Sequence, residues 1–304
     1  MAISRSQLVK ELEPGLNALF GLEYNRYDNE HAEIFASESS DRAFEEEVML
    51  SGFGTAATKA EGAMVTMDQA TEAYTSRYTH NTVALGFAIT EEAIEDNLYD
   101  RLAGRYTRAL ARSMAQSKQI TAANILNNGF DTGGSYNGGD GKALMTTDHP
   151  LANGGTFRNE LSTAADLNET SLEQALIDIA GMTDERGLRV AARGMKMVIP
   201  SANQFNAERL MKSPGRTGTA DNDINAVASM GMIPQGYRVN NFLTDTDSWY
   251  IITDVPNGMK MFQRAALKTA MEGDFDTGNV RYKARERYSF GVSDYRGIFG
   301  VEGA

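Results

Sequence analysis

The run Val280-Arg-Tyr-Lys-Ala-Arg-Glu-Arg-Tyr-Ser-Phe-Gly-Val292, continuing to Gly300, alternates between unlike residues. A period of two marks a strand with two different faces. Val280, Tyr282, Ala284, Tyr288, Phe290 and Val292 fall on one face, with Glu286 the exception. Arg281, Lys283, Arg285 and Arg287 fall on the other. A cationic row in a chain of net charge -12 calls for acidic partners. Residues 28–47 offer them: Asp28, Glu30, Glu33, Glu38, Asp41, Glu45, Glu46 and Glu47 stand against Arg42 alone. Charge segregated in this way lets a subunit pair with copies of itself. The plain alternative is a solvated strand face.

A chain of 304 residues is one large domain or two smaller ones. Its 41% hydrophobic and 23% charged residues are those of a globular protein. Cysteine is absent, which excludes a disulfide scaffold, a zinc-thiolate site and a cysteine nucleophile, and fits a reducing cytosol. The N-terminus reaches charged residues too early for a signal peptide. The longest apolar stretch, Val83 to Ile89, is far short of a membrane span. The acidic balance argues against a dedicated nucleic-acid binder.

Residues 1–47 read as an arm. Leu8, Leu12, Leu16, Leu19 and Phe20 form a rough helical stripe interrupted at Pro14-Gly15, and the acidic run follows. Such a segment has too little apolar surface to fold alone and is expected to lie on something else, a neighbouring subunit included. Residues 48–89 read as a long β-excursion whose return limb, Ala73 to Ile89, is rich in Tyr, Thr and Val. Between the limbs, Thr55 to Asp68 has almost nothing to bury, and a hairpin with so little core is marginal by itself. A long helix is expected from an N-cap at Thr90, with Glu91 and Glu92 at the positive end of its dipole. Ile94, Leu98, Leu102, Tyr106, Leu110 and Met114 recur every fourth residue, Leu126 ends the pattern, and Asn127-Asn128-Gly129 stops it.

Residues 127–160 are irregular and rich in glycine. Thr170-Ser-Leu-Glu173 predicts a capping box opening a helix that turns Leu172, Leu176 and Ile179 inward, with Gly187 as its stop. Met195 to Ile199 predicts a short buried strand, and Ser201-Ala-Asn-Gln204 a second capping box for a helix to Lys212. A short helix is expected over Asp223 to Met230, and Trp249 to Phe262 reads as a hairpin around Asn257-Gly258.

No catalytic constellation emerges. His31, His80 and His149 sit in unrelated segments without a second ligand at metal spacing. In Thr146-Thr-Asp-His-Pro150 a turn before proline accounts for the histidine. Tyr136-Asn-Gly-Gly-Asp-Gly-Lys-Ala143 fails as a phosphate loop, because Tyr136 replaces the first glycine and Ala143 the hydroxyl. Asp131 and Asp140 lack the acid spacing of a calcium loop. No nucleophile elbow or dinucleotide glycine motif is present. The expectation is therefore no catalytic residue, no cofactor and no metal.

Four stretches together carry a resemblance: Leu144-Met-Thr-Thr-Asp-His-Pro-Leu151, Thr217-Gly-Thr-Ala-Asp-Asn-Asp-Ile-Asn225, Met271-Glu-Gly-Asp-Phe-Asp-Thr-Gly-Asn279 and Arg281 to Gly300. With the order of segments, they resemble the major capsid protein of tailed bacteriophages, in the Mu-like head-subunit group. The resemblance implies an α+β chain of the Hong Kong 97-type fold. In it, 1–47 are an N-terminal arm and 48–89 an extended E-loop hairpin. Residues 90–164 and 263–304 form a P-domain with a spine helix over 90–127, and 165–262 an inserted α/β A-domain. It implies a non-enzymatic protein that assembles in the bacterial host cytoplasm into pentamers and hexamers of an icosahedral shell around double-stranded DNA. A separate scaffolding protein, a portal, a maturation protease and a decoration protein are the partners implied; no membrane is. The candidate contacts between subunits are Glu45, Glu46, Glu47, Lys59, Arg281, Lys283, Arg285 and Arg287. Two other readings are an encapsulin-type compartment shell and a carboxylate-dependent hydrolase sited in the glycine-rich loop.

Overall fold

A computed structural model describes residues 5–95, 99–133, 136–216, 223–274 and 277–304, with side chains from Glu13 onward and without those of 94–102. The expectations for Leu8, Leu12, Ile94, Leu98, Leu102 and for residues 217–222, 275 and 276 lie outside what is described.

The chain opens with helix α1 (Arg5–Tyr24), followed by β1 (Ala36–Ser39), β2 (Phe44–Leu50), β3 (Glu72–Thr79) and β4 (Asn81–Ile89). Helices α2 (Glu91–Glu95) and α3 (Tyr99–Asn127) lead to a two-residue ribbon of β5 (His149–Pro150) and β6 (Thr156–Phe157). Then come α4 (Glu169–Ala180), β7 (Gly194–Ile199), α5 (Gln204–Lys212), α6 (Ala226–Met230), β8 (Tyr237–Val239) and β9 (Trp249–Thr253). The chain closes with β10 (Met259–Gly273), β11 (Val280–Val292) and β12 (Ile298–Val301).

Two four-stranded sheets form the body, ordered β1-β10-β11-β4 and β12-β9-β7-β8. In the second sheet, alternate side chains enter different cores. Met197, Ile199, Trp249, Ile251, Phe299 and Val301 meet Leu172, Leu176, Ile179, Ala207 and Leu210 of α4 and α5. Val198, Tyr250 and Ile298 face the other way, onto Ile125, Leu126 and Met145. In the first sheet Tyr78 of β3 covers Phe262 on one face at the start of β10, and helices cover the other face. There Tyr282 and Ala284 pack with Leu16 and Phe20 of α1 and with Ala103, Leu110 and Met114 of α3.

The arm therefore lies on its own chain rather than waiting for a neighbour, with Leu16 and Phe20 buried and Asn17 Oδ1 accepting from Tyr282 Oη at 2.8 Å. Helix α1 runs through Pro14, which sits on the exposed side with Gly15 while Leu16 and Phe20 anchor the following turns. Tyr106 is half exposed, at the rim of the α3 stripe, with its ring 5.7 Å from Phe87.

Several boundaries move. The expected return limb of 73–89 is two strands: β3 pairs with β2, and beyond His80, β4 pairs with β11. Buried His80 fixes the break, its Nδ1 at 2.9 Å from Ser289 Oγ and its Nε2 at 3.0 Å from Ser40 Oγ. The 249–262 hairpin is absent, since β9 belongs to one sheet and β10 to the other. Asn257 at φ 60° and Gly258 turn the chain between sheets, and Gly258 is pressed so closely on Gly297 that a Cβ would stand 2.8 Å from its Cα. Helix α4 starts two residues early, because Asn168 accepts from Ser171 N–H and Ser171 Oγ accepts from Asn168 N–H. It ends at Gly181, well before Gly187. The expected box at 201–204 is a 3-10 turn (Ser201–Asn203) without a side-chain cap, and α6 is capped by Asn225 rather than opening at Asp223. The terminal strand stops at Val292; Ile298–Val301 joins the other sheet.

Candidate assembly surfaces

Strand β11 lies between β10 and β4, and its two faces are as unlike as the alternation predicts. Val280, Tyr282, Ala284, Glu286 and Tyr288 are buried beneath the helices, and Arg281, Lys283 and Arg285 are exposed. The exception in the pattern, Glu286, is buried with the apolar residues. It meets Lys118 of α3 at 3.4 Å and accepts from Tyr24 Oη of α1 at 3.3 Å, so one carboxylate joins two helices to the sheet. Burial pushes its carboxyl pKa up, against the pull of Lys118. His31 lies nearby, its backbone N–H donating to Gln119 Oε1 at 2.9 Å, and burial with Lys118 lowers its pKa to about 4.

On the open face, Ala84, Gly86 and Ala88 of β4 stand opposite Arg285, Lys283 and Arg281. Lys268 of β10 stands opposite Arg285, a like-charged cross-strand pair that works against the sheet. Arg281 reaches Asp274 at 2.5 Å, and Arg287 Nε donates to His80 O at 3.4 Å. Lys283 and Arg285 have no ion-pair partner among the described residues.

The acidic run is used elsewhere. Glu45 accepts from Ser40 Oγ at 2.7 Å, Glu46 stands 3.7 Å from Arg77, and Glu47 pairs with Lys260 at 2.5 Å while accepting from Ser293 Oγ. Glu38 also reaches Lys260, at 3.1 Å. Burial works to lower the Lys260 pKa, but the hydrogen bonds to Glu47 and Glu38 outweigh it and the pKa is raised. Glu33 pairs with Lys196 and Arg238 at 2.6 and 3.4 Å. Within one chain, then, the acids do not meet the cationic face. Lys59 is exposed in the projecting segment 51–71.

That segment has no regular secondary structure beyond β2 and β3. Phe53, Met64, Val65 and Met67 are exposed, Met64 at 94% and Met67 at 88%. Its firmest tie to the body is Asp68. That carboxylate accepts from Gly54 N–H and Gln69 N–H, both at 2.8 Å, and from Arg186 at 2.6 Å, which hold its pKa below the usual range.

Sequence reasoning missed a buried polar hub. His149 is fully buried between Asp140 Oδ2, 2.6 Å from its Nδ1, and Asn159 Oδ1, 3.1 Å from its Nε2. Asn159 Nδ2 is committed to the carbonyls of Leu144, Tyr295 and Ile298. The His149 ring stacks on Tyr295 at 4.0 Å, and Tyr295 Oη donates to Glu185 at 2.8 Å. Glu185 also takes Arg296 at 2.5 Å and Ala152 N–H at 2.7 Å. The members lie up to 156 residues apart (140 to 296), so no local motif announces them. The cavity beside His149 measures only about 10 Å³, with no room for a substrate. The hub fastens the glycine-rich loop and the 183–185 turn to Tyr295, Arg296 and β12. Among the described residues no group of three or more potential ligands could hold a metal, and no helix is long and apolar enough to cross a membrane.

The fold is that of known shells. The capsid of an empty GTA particle superposes with a TM-score of 0.53 at 15% identity, covering 91% of each chain. The capsid of Myoviridae phage XM1 gives 0.52 at 12% identity, covering 89% of each. A virus-like particle from Pyrococcus furiosus gives 0.52 at 10% identity, over 94% of this chain and 98% of the other. No curated protein matches by sequence. The sequence profile described as "phage capsid protein" matches residues 72–301. That span takes in β3 through β12 and every helix after α1, leaving out α1, β1 and β2, and by it the chain belongs to the phage capsid protein family.

Proposed function

We propose that copies of this major capsid protein form the pentamers and hexamers of an icosahedral shell enclosing double-stranded DNA. The observation that carries the reading is the projecting segment 51–71, with exposed Phe53, Met64, Val65 and Met67 and no core of its own. Such a segment is stabilised by surfaces outside its own subunit. In this reading 1–47 are the arm, 48–89 the E-loop, 90–164 and 263–304 the P-domain, and 165–262 the A-domain. Lys59, Arg281, Lys283, Arg285 and Arg287 remain candidate contacts between subunits. Glu45, Glu46 and Glu47 contribute there only by sharing or exchanging their partners within the chain. A separate scaffolding protein, portal, maturation protease and decoration protein complete the assembly in the bacterial cytoplasm.

The test is electron microscopy of the purified protein. Closed shells are expected, with nucleic acid inside particles recovered from an infected host. Monodisperse subunits at high concentration, or shells holding a protein cargo in place of DNA, would overturn it.

A further inference from the structure

The sheet β1-β10-β11-β4 guards one edge and leaves the other bare. Strand β1 is four residues long and carries Glu38, both of which discourage further pairing. Strand β4, Asn81-Thr-Val-Ala-Leu-Gly-Phe-Ala-Ile89, is nine residues long, without charge, proline or register shift. Its partner is β11 on one side, and among the described residues no backbone hydrogen bond leaves its other side. At about 3.3 Å per residue this is a template roughly 30 Å long. Leu85 at its centre is 47% exposed. Natural sheets seldom leave such an edge open unless a strand is meant to join it.

The same chain carries a segment with the complementary need. Residues 64–67 of the loop are in neither helix nor strand, and none of their backbone groups is paired among the described residues. Their sequence, Met-Val-Thr-Met, is strand-prone and uncharged, and Met64, Val65 and Met67 are exposed. Within its own chain the segment is held away at its base, where Arg186 grips Asp68 and Gln69.

We infer that the bare edge of β4 is completed by residues 64–67 of a second copy, which adds a fifth strand to the sheet across the subunit boundary. Alternation then decides the faces. Val65 and Met67 lie beside Leu85 on the helix side, and Met64 and Thr66 lie beside Ala84 and Gly86 on the cationic side. The small residues of β4 leave room for a methionine there. Backbone pairing gives the contact its strength, and the apolar pair beside Leu85 fixes its register. The inference rests on the shell reading, and its test separates the two.

Because the chain lacks cysteine, engineered pairs report without background. Leu85→Cys is combined in turn with Val65→Cys or Met67→Cys, on its own face, and with Met64→Cys or Thr66→Cys as opposite-face controls, and shells are oxidised and run on non-reducing gels. The Val65 or the Met67 double variant is expected to give a ladder of linked chains, with the opposite-face and single variants remaining monomeric; linkage only through Met64 or Thr66 would overturn the assigned strand faces. Linkage by Leu85→Cys alone would mean that two β4 edges meet each other, and would overturn the proposal. Hydrogen exchange on the unmodified protein guards against a variant that misfolds. On assembly, amides of 64–67 and of 81–89 are expected to slow together by at least tenfold. Shells that form while either segment exchanges as in free subunits overturn the strand addition alone. Absence of shells from the unmodified protein overturns the shell reading itself.

Discussion

The two four-stranded sheets differ in what they are built to touch. The sheet of β7, β8, β9 and β12 has apolar side chains entering two cores, and its three longer strands are almost wholly buried. The sheet of β1, β4, β10 and β11 buries one face under α1 and α3 and turns a cationic face outward. Even the covered face includes an ion pair, Glu286 with Lys118. The sheet of β7, β8, β9 and β12 serves the subunit's own stability. The sheet of β1, β4, β10 and β11 gives up part of that stability, through a like-charged cross-strand pair and a bare edge, to keep a surface available.

The sharpest way to break this comparison is to compare damage. Trp249→Ala, in the doubly covered sheet, is expected to cost ~3–5 kcal/mol by denaturant unfolding, the usual range for a fully buried aromatic. Lys118→Met leaves the Glu286 carboxylate buried without its cation and is expected to cost about 3 kcal/mol. Adding Glu286→Leu should recover most of that loss, because an apolar pair replaces a buried charge. If the double variant stays as unstable as the single one, the pair is not what stabilises the arm contact.

His31 sharpens the comparison through pH. The imidazole stays neutral in the folded chain down to about 4, against 6.5 for a free histidine. Its contribution is complete above pH 6.5, is lost as pH falls from 6.5 toward 4, and is level below that. Across that window the wild type is expected to lose up to about 3 kcal/mol more than His31→Gln. Parallel stability profiles for the two proteins would remove His31 as the cause.

The open face should be far more tolerant. Arg285→Glu with Arg287→Glu is expected to change subunit stability by about 1 kcal/mol, Arg285 being an exposed charge and half-buried Arg287 making one long hydrogen bond to His80 O. Shell formation, followed by light scattering, is expected to fail. Deleting 55–68 should change subunit stability least, since the segment has little to bury, while abolishing closed shells. A subunit unfolded by the deletion would show that the loop belongs to its own core.

The sequence carried the elements whose pattern is their own cause. Alternation in β11 reflects a sheet with unlike sides, and the Leu110–Met114 stripe reflects a helix lying on it. It misled where tertiary partners decide. Nothing local tells that Asn257-Gly258 joins two sheets rather than two strands of one, because the reason is the packing of Gly258 against Gly297. The break at His80 depends on Ser40 and Ser289, far away in the chain. The cap of α4 was displaced because Asn168 competes with Thr170 for the same role, and the Ser171 hydroxyl settles it. Among the candidate contacts, Arg281, Lys283 and Arg285 are exposed and Arg287 is half-buried on His80 O, whereas the glutamates at 45–47 are drawn onto Ser40, Arg77 and Lys260.

The placement of β11 and β12 has a consequence for synthesis. Strand β11 is the internal partner of both β10 and β4, and β12 pairs with β9 to close the other sheet. Arg296 and Tyr295, between them, also supply the hub around Glu185. A nascent chain that has exposed the loop and the bare edge still lacks the strand that would hold that edge in place. Both sheets stay open until residues 280–301 have left the ribosome. Prematurely terminated chains are therefore unable to present a paired β4, and quality control of the shell is built into the order in which the chain is made.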